Sequence, residues 1–267
     1  MIASEAFINR LNAVFDSTRL AAVALSGGVD SMTLAYVAHR RMGQAVTMFH
    51  AASAAVPVSA TERVNSYAER HGWKLRIVDA GEFADERYLA NPANRCFFCK
   101  SNLYETLSSL TRANLFSGTN TDDLGDWRPG LKAAEANGVR HPFVEAGMAK
   151  ADVRALAASY GLTDLAELPS APCLSSRVET ALRIEPHLLR AIDSVETHLR
   201  TELSPETVRC RVRQAGVVVE LDSEALARLS NSQRIQLTDQ IRSAFGERPV
   251  HFETYKRGSA FLREETP

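Results

Sequence analysis

Several features are scarce in this chain of 267 residues, and each scarcity excludes something. No apolar stretch approaches the length of a membrane span. Charge of neither sign is in excess: 31 Lys and Arg face 32 Asp and Glu, for a net charge of −1. That balance removes any global reason to expect nucleic acid or an anionic membrane as partner. Internal repeats and low-complexity tracts are missing, so a solenoid or an array is not expected. The first ten residues, with Glu5 among them, lack the basic start and apolar run of a signal peptide. A cytoplasmic protein is therefore expected, where thiols stay reduced. Its four cysteines then point to metal, catalysis or burial before disulfides. What remains, 45% apolar and 24% charged, is the composition of an ordinary globular protein of one large domain or two smaller ones.

The chain is organised around the hexapeptide Ser26-Gly27-Gly28-Val29-Asp30-Ser31. An apolar run, Leu20 to Leu25, precedes it, and a helical pattern from Met32 to Ala38 follows. Strand, glycine turn and helix start together make an anion site. Glycines let backbone N–H groups approach a phosphate with no Cβ in the way, and the helix N-terminus adds partial positive charge. The Gly-Lys-Ser/Thr ending of a Walker A loop is absent. A loop without its own lysine suits the pyrophosphate that leaves when ATP adenylates a substrate.

Helical spacing is expected over 4–17, 59–71, 100–113 and 150–160, and strands over 20–25, 45–50, 74–78 and 114–117. This rhythm predicts an α/β fold, an open parallel sheet with helices on both faces. Ligands of such sheets bind beyond the carboxyl ends of the strands. Ser26 to Ser31, His50 to Ser53 and Gly118-Thr119 onward should therefore share one rim. On that ground His50 joins the nucleotide-binding set, although His50, His71 and His141 lack ligand spacing and read as structural. A proline-punctuated stretch around Cys173 ends the first domain. The expected division is a nucleotide-binding domain over 1–168, a cysteine-bearing connecting loop over 169–182, and a small α+β domain over 183–267. The last contains a helix near 185–202, strands at 207–213 and 217–221, two helices over 223–245 and a final strand near 249–254.

Cys96-Phe97-Phe98-Cys99-Lys100 is a CxxC placed just before an expected helix, so both sulfurs can reach one metal. Zinc, iron–sulfur and simple burial remain open on spacing alone; a thioredoxin-like redox role is disfavoured, since the pair does not follow the first strand of a βαβ unit. Cys173 lies between prolines and serines, where packing explains it poorly. Cys210 is the reverse case. It alternates with Val208 and Val212 and belongs to the core, leaving Arg209, Arg211 and Arg213 on the other face. That face is either solvated or a clamp for phosphate or carboxylate, with Glu220 on the paired strand to orient it. Asp122, Asp123 and Asp126 are candidates for Mg2+, or simply a hydrophilic loop.

Taken together, Ser26 to Ser31, Asn94-Arg95-Cys96-Phe97-Phe98-Cys99-Lys100, Gly118-Thr119-Asn120, Arg128-Pro129-Gly130-Leu131-Lys132-Ala133 and Pro172-Cys173-Leu174-Ser175-Ser176-Arg177 resemble the ATP-dependent sulfur transferases called LarE. The hexapeptide is common to all PP-loop ATP pyrophosphatases, whose fold is of the adenine nucleotide alpha hydrolase type; the last two motifs are more specific. The strand Thr207 to Val212 and Glu220 fit the family too. After Arg177 the family pattern is lost, Val178-Glu179-Thr180 standing where an aromatic-Pro-Tyr-Gly stretch is usual.

The resemblance implies an enzyme that adenylates a pyridinium dicarboxylate mononucleotide and replaces AMP by sulfur, giving a thiocarboxylate for the nickel-pincer nucleotide. ATP with Mg2+ would lie on Ser26, Gly27, Gly28, Val29, Asp30, Ser31, His50, Gly118 and Thr119. Catalysis is assigned to Cys173, Asp30 and Lys100. The substrate and its phosphate are assigned to Arg177, Arg209, Arg211, Glu196, Glu220, Arg128 and Lys132. Family members draw sulfur either from the cysteine matching Cys173, which becomes dehydroalanine, or from a sulfide on a 4Fe-4S cluster held by three cysteines. Cys96, Cys99 and Cys173 are all present, so the cluster version is expected, with a sulfide donor and a homo-oligomer. An amide-forming ligase, a tRNA thiolase and a non-catalytic nucleotide sensor with structural zinc are the alternatives.

Overall fold

The computed structural model describes residues 5–125, 127–170 and 172–260. The chain divides into two compact units, Met1–Glu82 with Cys96–Ala171, and Phe83–Arg95 with Pro172–Pro267. The chain thus enters the second unit twice, and residues 83–95, which the sequence reading leaves in the first domain, fold with the second.

Unit 1 is built on β1 (Ala21–Leu25), β2 (Val46–Ala51), β3 (Leu75–Val78) and β4 (Asn114–Phe116), all parallel in the order β3-β2-β1-β4. Around the sheet run α1 (Glu5–Asp16), α2 (Val29–Met42) and α3 (Val58–His71). In unit 2, α4 (Glu86–Leu89) follows; α5 (Arg95–Leu110) then carries the chain back. The remaining helices of unit 1 are α6 (Pro129–Ala136), α7 (Pro142–Glu145), α8 (Lys150–Ser159) and α9 (Thr163–Ala166).

Residue alternation along the strands explains why both faces of the sheet are covered. Ala21, Val23 and Leu25 of β1 join Val46 and Met48 of β2 in one apolar cluster with Leu11, Phe15, Met32 and Leu156. Ala22, Phe49 and Leu115 enter the other cluster, with Leu103, Tyr104, Leu107, Ala133 and Ala134. Each large side chain buried in this way contributes about 1.5–3 kcal/mol.

Two expectations are corrected. The CxxC does not precede its helix; Cys96 and Cys99 occupy the first turns of α5, which begins at Arg95. Phe97 packs on the second cluster, and that burial overrides the weak helix propensity of Cys-Phe-Phe-Cys. Residues 129–136, where no helix is expected, form α6 with Pro129 at its first position, where a missing N–H costs nothing.

Unit 2 has a mixed sheet in the order β5-β6-β7, from β5 (Val208–Arg213), β6 (Gly216–Leu221) and β7 (Val250–Thr254). The first pair is antiparallel and the second parallel. With the sheet go α10 (Pro186–Leu203), α11 (Ser223–Arg228) and α12 (Asn231–Phe245). Cys210 is fully buried between Val208 and Val212, as its alternation predicts. The inserted residues 83–95 bind the segment that follows Cys173. Tyr88 and Ser175 share a hydrogen bond of 2.6 Å, and the Asn91 side-chain amide donates to the Glu179 carbonyl at 2.8 Å. The Asn91 and Leu89 carbonyls accept from the Ala181 and Ile184 amides, each at 2.9 Å.

Candidate functional site

Because the strands of unit 1 are parallel, their carboxyl ends form one rim, and the hexapeptide turns there from β1 into α2. Gly27 has φ +76°, and a Cβ on it would lie 2.7 Å from the Ala60 carbonyl oxygen of α3. Only glycine satisfies both the backbone and the contact. Gly118, just after β4, is fixed by space alone, since its Cβ would come within 2.6 Å of the Ser31 amide nitrogen. The backbone beyond β4 therefore presses directly against the start of α2.

The first intrahelical bond of α2 runs from the Met32 amide to the Gly28 carbonyl at 3.0 Å. The amides of Val29, Asp30 and Ser31 lie ahead of it, at the positive end of a 14-residue helix. Serine hydroxyls knit the turn. The Ser31 hydroxyl accepts from the Ser26 amide at 3.1 Å and donates to the Gly28 carbonyl at 3.2 Å.

The cation that the loop lacks comes from elsewhere. Lys150, first residue of α8, places its ammonium 2.5 Å from the Asp30 carboxylate. Asn120, which is buried, donates to the other Asp30 oxygen at 3.3 Å. A second cation, Arg63 of α3, donates to the Gly27 carbonyl at 2.7 Å. Neither Lys150 nor Arg63 figures in the sequence reading.

His50 is wholly buried, with Nδ1 3.0 Å from the Leu25 carbonyl and Nε2 2.9 Å from the Thr61 hydroxyl. A carbonyl only accepts, so Nδ1 carries the proton and Nε2 accepts from Thr61. Burial lowers its pKa and favours this neutral form. With both nitrogens engaged, His50 ties the end of β1 to α3; its part at the rim is support of the loop.

Thr119 shares a 3.0 Å bond with the Ser117 hydroxyl, which also lies 2.8 Å from His141 Nδ1. Among the acidic residues, Asp122 accepts from the Lys150 amide at 3.2 Å. Asp123 accepts from the Asn120 amide at 3.1 Å and pairs with Arg128 at 2.8 Å. Asp126 lies outside the described residues. Lys132 is exposed on α6, and the Lys100 ammonium stands 5.7 Å from the centre of the Tyr104 ring.

Cys96 and Cys99 are half-buried and three apart, hence on one face of α5 at its N-terminal end. Cys173, in unit 2, is exposed immediately before a short 3-10 turn, Leu174–Arg177. Soft thiols of this kind are suitable donors for an iron–sulfur group. Among the described residues, no set of three or more His, Cys, Asp or Glu side chains is gathered to hold a metal ion.

Around Cys173, unit 2 is built from buried charge. Arg177 is 1% exposed and forms a fork with Glu196, at 2.9 and 3.1 Å. Its third nitrogen donates to the Pro172 carbonyl at 2.7 Å and to the Cys173 carbonyl at 3.2 Å. Arg177 thus holds the cysteine loop from below. Glu196, wholly buried, also accepts from Arg200 at 2.7 Å and from the Cys210 amide at 3.0 Å. Burial would raise the Glu196 pKa, but the bonds to Arg177 and the combined positive charge of Arg177, Arg209 and Arg200 outweigh it and hold the carboxyl below its ordinary value.

A second network joins Glu220 to Arg211 at 2.7 Å, to Arg213 at 2.9 Å, and to the Ser259 hydroxyl. Arg211 is 4% exposed, so the arginine face is not a solvated one. Arg209 donates to the Val208 carbonyl at 2.7 Å and stands 5.8 Å from the centre of the Tyr255 ring.

No family model matches the chain. An uncharacterized protein, slr1717 of Synechocystis sp. (strain ATCC 27184 / PCC 6803 / Kazusa), is 35% identical to it over 226 residues, 83% of this chain and 84% of the relative. The pyridinium-3,5-bisthiocarboxylic acid mononucleotide synthase of Lactiplantibacillus plantarum is 29% identical over 204 residues, 74% of this chain and 73% of its own. The uncharacterized protein MJ0830 of Methanocaldococcus jannaschii is 24% identical over 252 residues, 93% of this chain and 95% of the relative. The second of these, though distant, supports the LarE-type resemblance carried by the motifs.

Proposed function

We propose that this chain, which belongs to one family with the Synechocystis protein slr1717, is an ATP-dependent sulfur transferase of the LarE type. Its substrate is a pyridinium dicarboxylate mononucleotide, and its product a thiocarboxylate on the way to a nickel-pincer cofactor. The observation that carries the reading is the glycine turn at the start of α2, with Gly118 packed against it and Lys150 bound to Asp30. First-turn amides and a nearby ammonium are the groups that stabilise a departing pyrophosphate.

In the first step a substrate carboxylate oxygen attacks the α-phosphorus of ATP, and pyrophosphate leaves with the bond's electron pair. The mixed anhydride so formed is an electrophile at its carbonyl carbon. A sulfur nucleophile adds there and AMP departs. Lys150, Lys100 and Lys132 offset phosphate charge, and Mg2+ arrives with the nucleotide. Arg209 is given the substrate's phosphate, while Arg211, spent on Glu220 and on the Ser176 and Lys256 carbonyls, joins Arg177 and Glu196 in holding the Cys173 loop in place.

Cys96, Cys99 and Cys173 would hold the 4Fe-4S cluster. The chemistry such a cluster would supply is a sulfide for transfer to the activated carboxyl, with these three thiols as its protein ligands. A cytoplasmic homo-oligomer and a separate sulfide donor complete the proposal. The test is anaerobic purification with iron and acid-labile sulfide analysis, then pyrophosphate release with carboxylate nucleotides. Iron, sulfide and substrate-dependent pyrophosphate support the reading. A colourless, active protein whose Cys173 becomes dehydroalanine moves the sulfur source to that residue. Stoichiometric zinc without ATP cleavage overturns the enzyme.

A further inference from the structure

We propose that Arg63 is a positioning residue for the glycine turn, fixing the peptide between Gly27 and Gly28 so that the Gly28 N–H faces the nucleotide. The inference rests on the nucleotide-binding reading of that turn and assigns it a residue that none of its motifs contains. A peptide unit is planar and trans, so its C=O and N–H point in opposite directions. The Gly27 carbonyl is held at 2.7 Å by the Arg63 guanidinium. The Gly28 N–H is thereby turned the other way, where its bond to the Ser26 hydroxyl is long, at 3.4 Å, and exposed. A donor held so loosely exchanges its partner for a phosphate oxygen at little cost.

One face of α3 carries the whole arrangement. Ala60, Arg63 and Tyr67 are spaced three and four apart and therefore stack along one side of the helix. Ala60 closes on the Cα of Gly27, leaving no room for a side chain. Arg63 takes the carbonyl of the same residue. Tyr67, buried, donates to the Asp164 carboxylate of α9 at 2.6 and 2.8 Å. Arg63 is half-buried, and burial disfavours its charge; Asp164 offsets part of that effect. Because φ at Gly27 is positive, glycine stands there and brings no side chain to this peptide, and the turn's own hold on it is the long Ser26 bond. A guanidinium from the neighbouring helix supplies the restraint.

The experiment compares Arg63→Met and Arg63→Lys with the wild type, using the full chain. Amide hydrogen exchange over residues 26–31 is read without ligand, and Mg-ATP affinity by calorimetry. Arg63→Met should weaken ATP by on the order of tenfold to a hundredfold, the worth of a hydrogen bond to a charged group. Exchange over the turn should rise by about tenfold, as a locally released segment does. Arg63→Lys should fall between, and millimolar guanidinium should restore ATP binding to the Met variant, which loss of packing alone would not allow. Unchanged affinity in Arg63→Met overturns the proposal, as does unchanged exchange over the turn. If the wild type itself binds no ATP, the nucleotide reading falls; the exchange data then decide by themselves whether Arg63 sets the peptide. If Arg63→Met does not fold, the same two measurements on Arg63→Lys decide: wild-type affinity and exchange refute, intermediate values support.

Discussion

The two units hold a reactive loop by different means. Unit 1 shapes its glycine turn by exclusion, with Gly27 against Ala60 and Gly118 against the start of α2, adds the partly exposed Lys150 and the half-buried Arg63 as its cations, and keeps its buried histidine neutral. Unit 2 fixes the Cys173 loop with buried charge, the Arg177–Glu196 pair beneath it and the Arg211–Glu220 pair on β5 and β6. Close packing tolerates little change of volume, whereas a buried ion pair tolerates little change of charge. The units should therefore break differently, and they carry separate reporters. Both tryptophans, Trp73 and Trp127, belong to unit 1. The fully buried thiol of Cys210 belongs to unit 2.

The largest effect is expected from Glu196→Ala. It leaves Arg177 buried without its carboxylate and also strips a partner from Arg200 and the Cys210 amide. Breaking a buried pair from one side costs about 3–5 kcal/mol. In urea, the transition read by Cys210 labelling should move to lower concentration while the tryptophan transition stays. Equal movement of both would show that the units unfold as one body and would end the contrast.

Next comes Gly118→Ala, the matching break in unit 1. The added methyl meets backbone atoms of Asp30 and Ser31, which cannot rotate away. Overpacking of this sort costs about 1–3 kcal/mol. The change should abolish pyrophosphate release while shifting only the tryptophan transition. Release at the wild-type rate would remove the strand-end contact from the site.

The parts legible in the sequence were those carried by short-range pattern. All seven strands among the described residues follow from apolar runs or alternation, and the core position of Cys210 follows from its parity with Val208 and Val212. The helix start of α5 is hidden because packing of Phe97 outweighs a weak local signal, whereas α6 carries signals that went unused, Pro129 at its first position and the alanines Ala133, Ala134 and Ala136 behind it. Partners of the loop were hidden for a different reason. Lys150 lies 120 residues from Asp30, and Arg63 lies 36 from Gly27, so nothing local marks either as part of the turn. A basic residue opening a helix after the last strand of the sheet is the available signal for Lys150. Arg177 and Glu196 illustrate the reverse limit. Their charge is visible in the sequence, but that each fork is spent on the other depends on burial.

Lys150→Met probes that hidden partner. Its pair with Asp30 is about one-third exposed, so stability should change by only about 0–1 kcal/mol. The nucleotide should notice more. Loss of an ammonium beside the departing phosphates should raise the KM for ATP about tenfold, or roughly 1.4 kcal/mol. An unchanged KM in a steady-state pyrophosphate assay would leave Lys150 as a tether of Asp30 alone.

Acid separates the units by the smallest step and without any substitution. His50, His71 and His141, all in unit 1, are held by burial below the ordinary histidine value of 6.5. Their unfolded forms therefore bind protons first as pH falls, and the unfolded state is favoured. Stability that unit 1 draws from these neutral rings is complete above 6.5 and declines as pH drops from there through the lowered folded values. Glu196 in unit 2 is held below its ordinary 4.5, so its contribution is complete above that value and is lost only in stronger acid. Between pH 7 and about 5, the tryptophan-detected urea midpoint should fall while the midpoint from labelling Cys210 with a dithiodipyridine holds steady. Below about 4.5 the second should follow. Two midpoints declining together from pH 7 would mean that the neutral histidines do not set the acid limit of unit 1, and that the two ways of holding a loop do not differ in the proton that undoes them.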